Sequence, residues 1–165
     1  MNTDLLTKLK TDFTDISERF LQAKLEYQTV SRSYLMEYVK VFMDACPEVK
    51  TIRWVQYTPY FNDGDECYFG VQEPYFSNIE DTDKLSSFGE EIEDSEENEW
   101  CVSAPYSNNT WYGMSEHLHY LRDPIVGFKE MLESISDESM KEIFGDHAQI
   151  TITKNGINID EYSHD

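Results

Sequence analysis

Apolar side chains recur along the first third of the chain in alternating steps of three and four, at Leu6, Leu9, Phe13, Ile16, Phe20, Ala23, Tyr27, Val30 and Tyr34. That heptad spacing predicts a helix that buries one narrow seam. No Gly or Pro interrupts residues 1–46, Asn2 or Thr3 supplies a cap, and Pro47 follows the end. An unbroken helix of this extent, about 66 Å long at 1.5 Å per residue, cannot pack entirely on a compact domain. Two outcomes are open. The helix breaks between Thr29 and Ser33, where Thr and Ser weaken helix propensity, and forms a hairpin. Otherwise it protrudes and pairs with a second copy, the seam from Leu6, Leu9, Phe13, Ile16 and Phe20 to Tyr27, Val30 and Tyr34 joining a homodimer as a coiled coil.

From Val49 the period changes. Residues 51–57 (Thr-Ile-Arg-Trp-Val-Gln-Tyr) and 67–71 (Cys-Tyr-Phe-Gly-Val) are β-branched and aromatic, as strands require. The Asp63-Gly64 pair between them supplies the positive φ of a hairpin turn. Residues 77–98 read as an acidic loop, and residues 100–104 and 111–121 as two further strands around Ser107-Asn108-Asn109. Asp123-Pro124 reads as a cap and first turn, with Ile125, Phe128, Leu132 and Ile135 on one face of the helix that follows. A second short helix starts at Ser136-Asp137-Glu138 and stops at Gly145. Ile150, Ile152, Ile157 and Ile159 then flank a tight hairpin turn at Lys154-Asn155-Gly156. The expected class is α+β, with a long N-terminal helix or helical hairpin, a mostly antiparallel sheet and two short C-terminal helices. The chain divides into a helical segment, 1–46, and an acidic α+β domain, 47–165.

Charge sharpens this division. The 165 residues carry 33 acidic and 13 basic side chains, a formal charge of −20, yet aromatic residues make up 14%, too many for a disordered acidic chain. Residues 1–60 are neutral, with 8 acidic and 8 basic side chains. Residues 61–100 hold 14 acidic residues against Lys84 alone, and seven of the ten residues from Glu90 to Glu99 are acidic. Such a run is either a solvated loop or a partner-binding surface. Read as a surface, its members are Asp63, Asp65, Glu66, Glu80, Asp81, Asp83, Glu90, Glu91, Glu93, Asp94, Glu96, Glu97 and Glu99. A surface of this sign excludes gripping nucleic-acid phosphates or anionic membranes. No apolar stretch is long enough to cross a bilayer, and the start lacks the basic and apolar regions of a secretory signal, so a cytoplasmic setting is expected. Cys46, Cys67 and Cys101 fit neither a disulfide framework nor a paired-cysteine zinc site, and read as reduced thiols.

Residues 54–67, Trp-Val-Gln-Tyr-Thr-Pro-Tyr-Phe-Asn-Asp-Gly-Asp-Glu-Cys, resemble a segment of uncharacterised small acidic proteins of phages and bacteria. The ending is similar too, at Phe144-Gly145-Asp146-His147 and Tyr162-Ser163-His164-Asp165. The resemblance implies a phage or bacterial cytoplasm and brings no activity with it.

Candidate chemistry is sparse. Asn62-Asp63-Gly64-Asp65-Glu66 offers oxygen ligands but not the alternating acids and distant Glu of an EF-hand. His117 and His119 would share one face of a strand, and with Glu116, Asp146 or Asp165 could hold a hydrolytic metal. His147 and His164 complete the set, but no His-Glu-x-x-His or paired-cysteine motif supports it. Nucleophile elbows and phosphate-cradling glycine loops are missing, and an acidic neighbourhood opposes thiolate formation at Cys67 or Cys101. The aromatics around the first hairpin are mostly core, with a few at its tip left to anchor a partner.

The function expected is a non-enzymatic acidic interaction protein with no cofactor. It would act as a phage-type inhibitor that imitates DNA or RNA in the basic cleft of a host nuclease, restriction or CRISPR complex, or polymerase. Two alternatives stand beside it: a coiled-coil adaptor or assembly protein whose acidity serves solubility, and a metal-dependent hydrolase using His117 and His119.

Overall fold

The computed structural model describes residues 3–61, 63–85, 98–105 and 114–163. A single helix, α1 (Thr3–Ala45), runs unbroken for 43 residues, about 64 Å at 1.5 Å per residue, so the helical-hairpin alternative is overturned. Its hydroxyls do not break it because they bond back within the helix. Thr29 Oγ1 donates to Leu25 O at 2.9 Å, and Ser33 Oγ to Thr29 O at 3.0 Å.

Only the second half of α1 meets the rest of the molecule. Leu35, Val39, Phe42 and Cys46 are buried, in steps of four, three and four. Ahead of them, polar groups make the docking contacts. Lys24 pairs with Glu142 at 2.8 Å, and Gln28 Nε2 donates to Glu142 O at 2.7 Å. Arg32 Nε and Nη2 donate to Ile143 O at 3.0 and 2.6 Å. From residue 4 to residue 23 every side chain is exposed, so α1 begins as an arm.

The sheet is antiparallel throughout. It comprises β1 (Thr51–Tyr57), β2 (Gly70–Val71), β3 (Tyr75–Ser77), β4 (Cys101–Ser103), β5 (Ala148–Thr153) and β6 (Gly156–Glu161), in the order β4-β3-β1-β5-β6, with β2 also on β1. Central β1 pairs Ile52 with both Phe76 and Ile152, and Trp54 with Ile150. Six of its seven residues are buried, because both faces are covered. Ile52 and Trp54 lie in the core under the helices. On the opposite face Arg53 is 8% exposed, and its guanidinium holds down the strap at residues 82–85. It donates to Thr151 Oγ1 at 3.1 Å, Leu85 O at 2.8 Å and Thr82 O at 3.1 Å. A 3₁₀ turn, Thr82–Lys84, lies within that strap. Buried Gln56 donates through Nε2 to Met140 O at 3.0 Å and Gly145 O at 2.6 Å, meeting the need of a buried amide for partners.

Two helices follow, α2 (Arg122–Glu133) and α3 (Asp137–Phe144). Ser136 caps α3, its Oγ accepting from Ser139 N at 3.2 Å, and Gly145 ends it at φ 96°. The strand expected over residues 111–121 is corrected where it is described, since Glu116–Leu121 is a 3₁₀ helix. Leu118 and Leu121, both buried, are one turn apart on such a helix and on opposite faces of a strand. This helix runs directly into α2, so Leu121 takes the cap position and Asp123 lies inside the first turn. The last hairpin pairs Ile150 with Ile159 and Ile152 with Ile157, with Lys154 and Asn155 forming the turn and Gly156 at φ 144° opening β6.

Phe128→Ala should cost about 3–5 kcal/mol of unfolding free energy in urea titrations, through the lost side chain and the cavity left behind. Tyr34→Ala, at a position 69% exposed, should change it by less than about 0.5 kcal/mol in dilute solution.

Candidate interaction surface

Beyond Tyr57 the chain leaves the sheet and returns only at Gly70, so the expected tight hairpin is a long loop. Pro59 has no N–H to extend the ladder, and the partner strand shrinks to Gly70–Val71. The Asp63-Gly64 turn does form, with φ of 42° and 95°.

The base of the loop is clamped at both ends. Asp146 Oδ1 accepts from Thr58 N at 2.8 Å and from His147 N at 2.9 Å, while Oδ2 accepts from Thr58 Oγ1 at 2.8 Å and pairs with Lys141 at 2.7 Å. The ring of Tyr60 stacks on His147, centroids 4.7 Å apart and 9° from parallel. On the return side Phe69 packs against the core, with Lys141 Nζ 5.5 Å from its ring centroid. Between these anchors the loop is displayed. Tyr60, Phe61 and Tyr68 are 66%, 75% and 71% exposed, beside exposed Asp63, Asp65 and Glu66. Tyr68 Oη donates to Glu66 Oε2 at 2.8 Å, tying an aromatic to a carboxylate. No Lys or Arg occurs between Arg53 and Lys84.

The remaining described acids gather elsewhere. Glu80, Asp81 and Asp83 follow Ser77, which pairs with Thr51, and Glu99 precedes Cys101, which pairs with Ser77. Glu80 is engaged by Lys154 at 3.3 Å, and Asp81 Oδ1 accepts from Asp83 N at 3.1 Å. Of the candidate surface, Asp63, Asp65 and Glu66 thus lie in the loop beyond the Tyr57 end of β1, whereas Glu80, Asp81, Asp83 and Glu99 lie in the connections that leave the sheet at its Thr51 end. Glu90, Glu91, Glu93, Asp94, Glu96 and Glu97 lie outside the described residues. Glu80 and Asp83, with Arg53, Thr151, Asn158 and Asp160, line an open polar groove of about 710 Å³ on the outer face of the sheet.

The seam positions stand together on one stripe of α1. Leu6, Leu9, Phe13, Ile16 and Phe20 are 51–73% exposed, and Tyr27, Val30 and Tyr34 are 45%, 46% and 69% exposed. The seam is therefore a different stripe from the one that docks on the sheet, and nothing in this chain covers it among the described residues.

The histidines do not converge. On a 3₁₀ helix of three residues per turn, His117 and His119 project from different faces, which removes the geometry expected of them as strand neighbours. His119 Nε2 lies 2.9 Å from Arg122 Nη2, His147 is under Tyr60, and His164 lies outside the described residues. No group of three or more His, Cys, Asp or Glu among the described residues is placed to hold a metal ion. Cys46 is buried, Cys67 half-buried and Cys101 exposed, none of them in a disulfide. No helix among the described residues is long and apolar enough to cross a membrane.

No protein-family model, curated protein or solved structure matches this chain.

Sequence reasoning offered Asp146 only as a candidate metal ligand and gave Arg53 no role. A lone Arg inside an apolar strand was a visible sign of a buried strut, whereas nothing local marks Asp146 as the clamp for a loop 88 residues away.

Loss of hydration alone would raise the Asp146 pKa. Hydrogen bonds from Lys141, Thr58 and the His147 amide outweigh it and bring the carboxyl from 3.8 to about 2. A depressed folded pKa stabilises the fold above pH 4, and that contribution disappears as pH falls from about 4 toward 2. Asp146→Asn should lower stability at pH 7 by about 1–2 kcal/mol and flatten the acid limb of a stability-against-pH curve.

Proposed function

We propose that this chain is a non-enzymatic acidic interaction protein that occupies the basic, nucleic-acid-binding surface of another protein. The observation that supports this best is the clamped loop between Thr58 and Gly70, which presents three exposed aromatic rings among three carboxylates in a stretch without a single basic residue. Exposed Tyr and Phe are the side chains that anchor interfaces once buried by a partner, and a carboxylate rim selects a positively charged one. Duplex DNA presents one negative charge about every 1.7 Å of its axis. A chain with a net charge of −20 is suited to imitate that field and to be steered by it. The partner on this reading is a host nuclease, restriction or CRISPR complex, or polymerase. The setting is the bacterial or infected-host cytoplasm, and the chain makes no nucleic-acid contact of its own.

The protruding arm supports a second reading, an adaptor whose seam receives a helix of another protein. The two separate by mutation. Under the first, the chain displaces labelled duplex DNA from a captured host complex in anisotropy titrations at low salt, and displacement fades as salt rises. Asp63→Asn/Asp65→Asn/Glu66→Gln should slow association about tenfold, and Phe61→Ala should weaken binding by about 1–2 kcal/mol. Failure to displace DNA from any such complex at low salt sinks the first reading. If Phe13→Asp/Phe20→Asp instead abolishes capture while the loop variants bind normally, the adaptor reading stands.

A further inference from the structure

The arm of α1 carries more information than an apolar stripe. In heptad terms Leu6, Phe13, Phe20, Tyr27 and Tyr34 alternate with Leu9, Ile16, Ala23 and Val30 as the two inward positions. On one flank stand Asp12, Arg19, Glu26 and Ser33, and on the other Lys10, Ser17, Lys24 and Ser31. The seam does not end where α1 meets the domain at Lys24, since Tyr34 is 69% exposed a further ten residues on. At its middle, small Ala23 leaves an open notch walled by Ile16, Arg19, Phe20 and Glu26.

We propose that a second copy of this chain covers the seam, the two α1 helices running antiparallel with Phe20 of each seated on Ala23 of the other. An antiparallel pair sets one inward position against the other, and each flank against itself. With Phe20 opposite the partner's Ala23, the adjoining layers are Ile16 with Tyr27, Phe13 with Val30 and Leu9 with Tyr34. Every seam residue from Leu9 to Tyr34 then has an apolar neighbour, and each bulky ring lies opposite a smaller side chain, as close packing requires. The flanks agree. Arg19 falls beside the partner's Glu26 twice over, Asp12 meets Ser33, Lys10 meets Ser31 and Ser17 meets Lys24, so no like charges face each other.

Other arrangements fail on the same residues. A parallel pair in register stacks Ala23 on Ala23, leaving a gap between paired rings, and sets Arg19 against Lys24. Sliding the antiparallel pair by one heptad toward the N-termini opposes Arg19 to Arg19, Asp12 to Glu26 and Lys10 to Lys24. Sliding by two heptads avoids those clashes but leaves Tyr27, Val30 and Tyr34 uncovered. A heptad seam drifts about 20° per heptad around a straight helix, so the paired arms wind about each other with a left-handed twist.

This inference is independent of the partner of the acidic loop. Sedimentation and light scattering on the full chain test it. The native protein should be dimeric at a concentration on the order of 100 µM, and a monomer there overturns the proposal. Arg19→Glu and Glu26→Arg should each weaken dimerisation about tenfold, because two attractive pairs become repulsive. The double variant, which restores both pairs with their signs exchanged, should recover native affinity to within about threefold. If Arg19→Glu strengthens the dimer, Arg19 faces Lys24 in a parallel pair and the antiparallel register is wrong. If the double variant stays as weak as the singles, the Arg19–Glu26 contact does not exist. Far-UV circular dichroism should be unchanged in all three, since both positions are exposed.

Discussion

Phe42 of the long helix, Phe76 of the sheet and Phe128 of α2 meet at one point, with ring centroids 5.2 to 5.6 Å apart. Phe128 stands edge-on to the other two, the geometry in which one ring's positive edge meets another's negative face. Each ring comes from a different element, so the contact fixes where α1 and α2 lie on the sheet. Trp54 and Phe144 repeat the arrangement for α3, 5.5 Å apart and 86° from parallel. Once these rings are placed, the polar contacts of Gln28, Arg32 and Gln56 find the end of α3, and the end of α3 in turn delivers Asp146 to the loop. The displayed acidic loop thus depends on a cluster of core rings that fixes the helix carrying its anchor.

Charge is divided along the same lines. The neutral helical region supplies one ring and the arm, whereas the acids of residues 61–85 that the structure describes sit on connections outside the core. Arg53 is the exception among the charges, since it is buried and holds the acidic strap at residues 82–85 against the sheet. Burial pulls its pKa down, while Cys101, Asp160 and Asp83 pull the other way.

Much of this architecture was legible in the chain because period and turn chemistry agreed. The long N-terminal helix, the paired isoleucines of the last hairpin, Ser136 as cap and Gly145 as stop are all local signals, and each is present in the fold. The docking stripe of α1 was not legible. It begins with Lys24, Gln28 and Arg32, polar residues whose value lies in reaching the carbonyls at the end of α3, far away in sequence. The strand expected around His117 failed because Leu118 and Leu121 fit an alternating pattern poorly and a three-residue turn well. The loop after Tyr57 has good strand residues, but Pro59 and the anchors at Asp146 and His147 hold it off the sheet. Local pattern finds elements, and long-range hydrogen bonds decide how the segments between them are held.

The position of β1 bears on the order in which the molecule can be made. It is synthesised early, at residues 51–57, yet its longest pairing is with β5 at residues 148–153. Synthesis at about 5–20 residues per second therefore leaves the central strand without that neighbour for several seconds. Contacts so distant in sequence also close slowly once the whole chain exists. The helix needs no such wait, because its hydrogen bonds are all local. During this interval the nascent chain is a formed helical arm joined to an unfinished sheet whose strand edge is open. The acid-dense residues 61–100 are made within this interval and before β5, and their like charge opposes the pairing of one open edge with that of a neighbouring nascent chain.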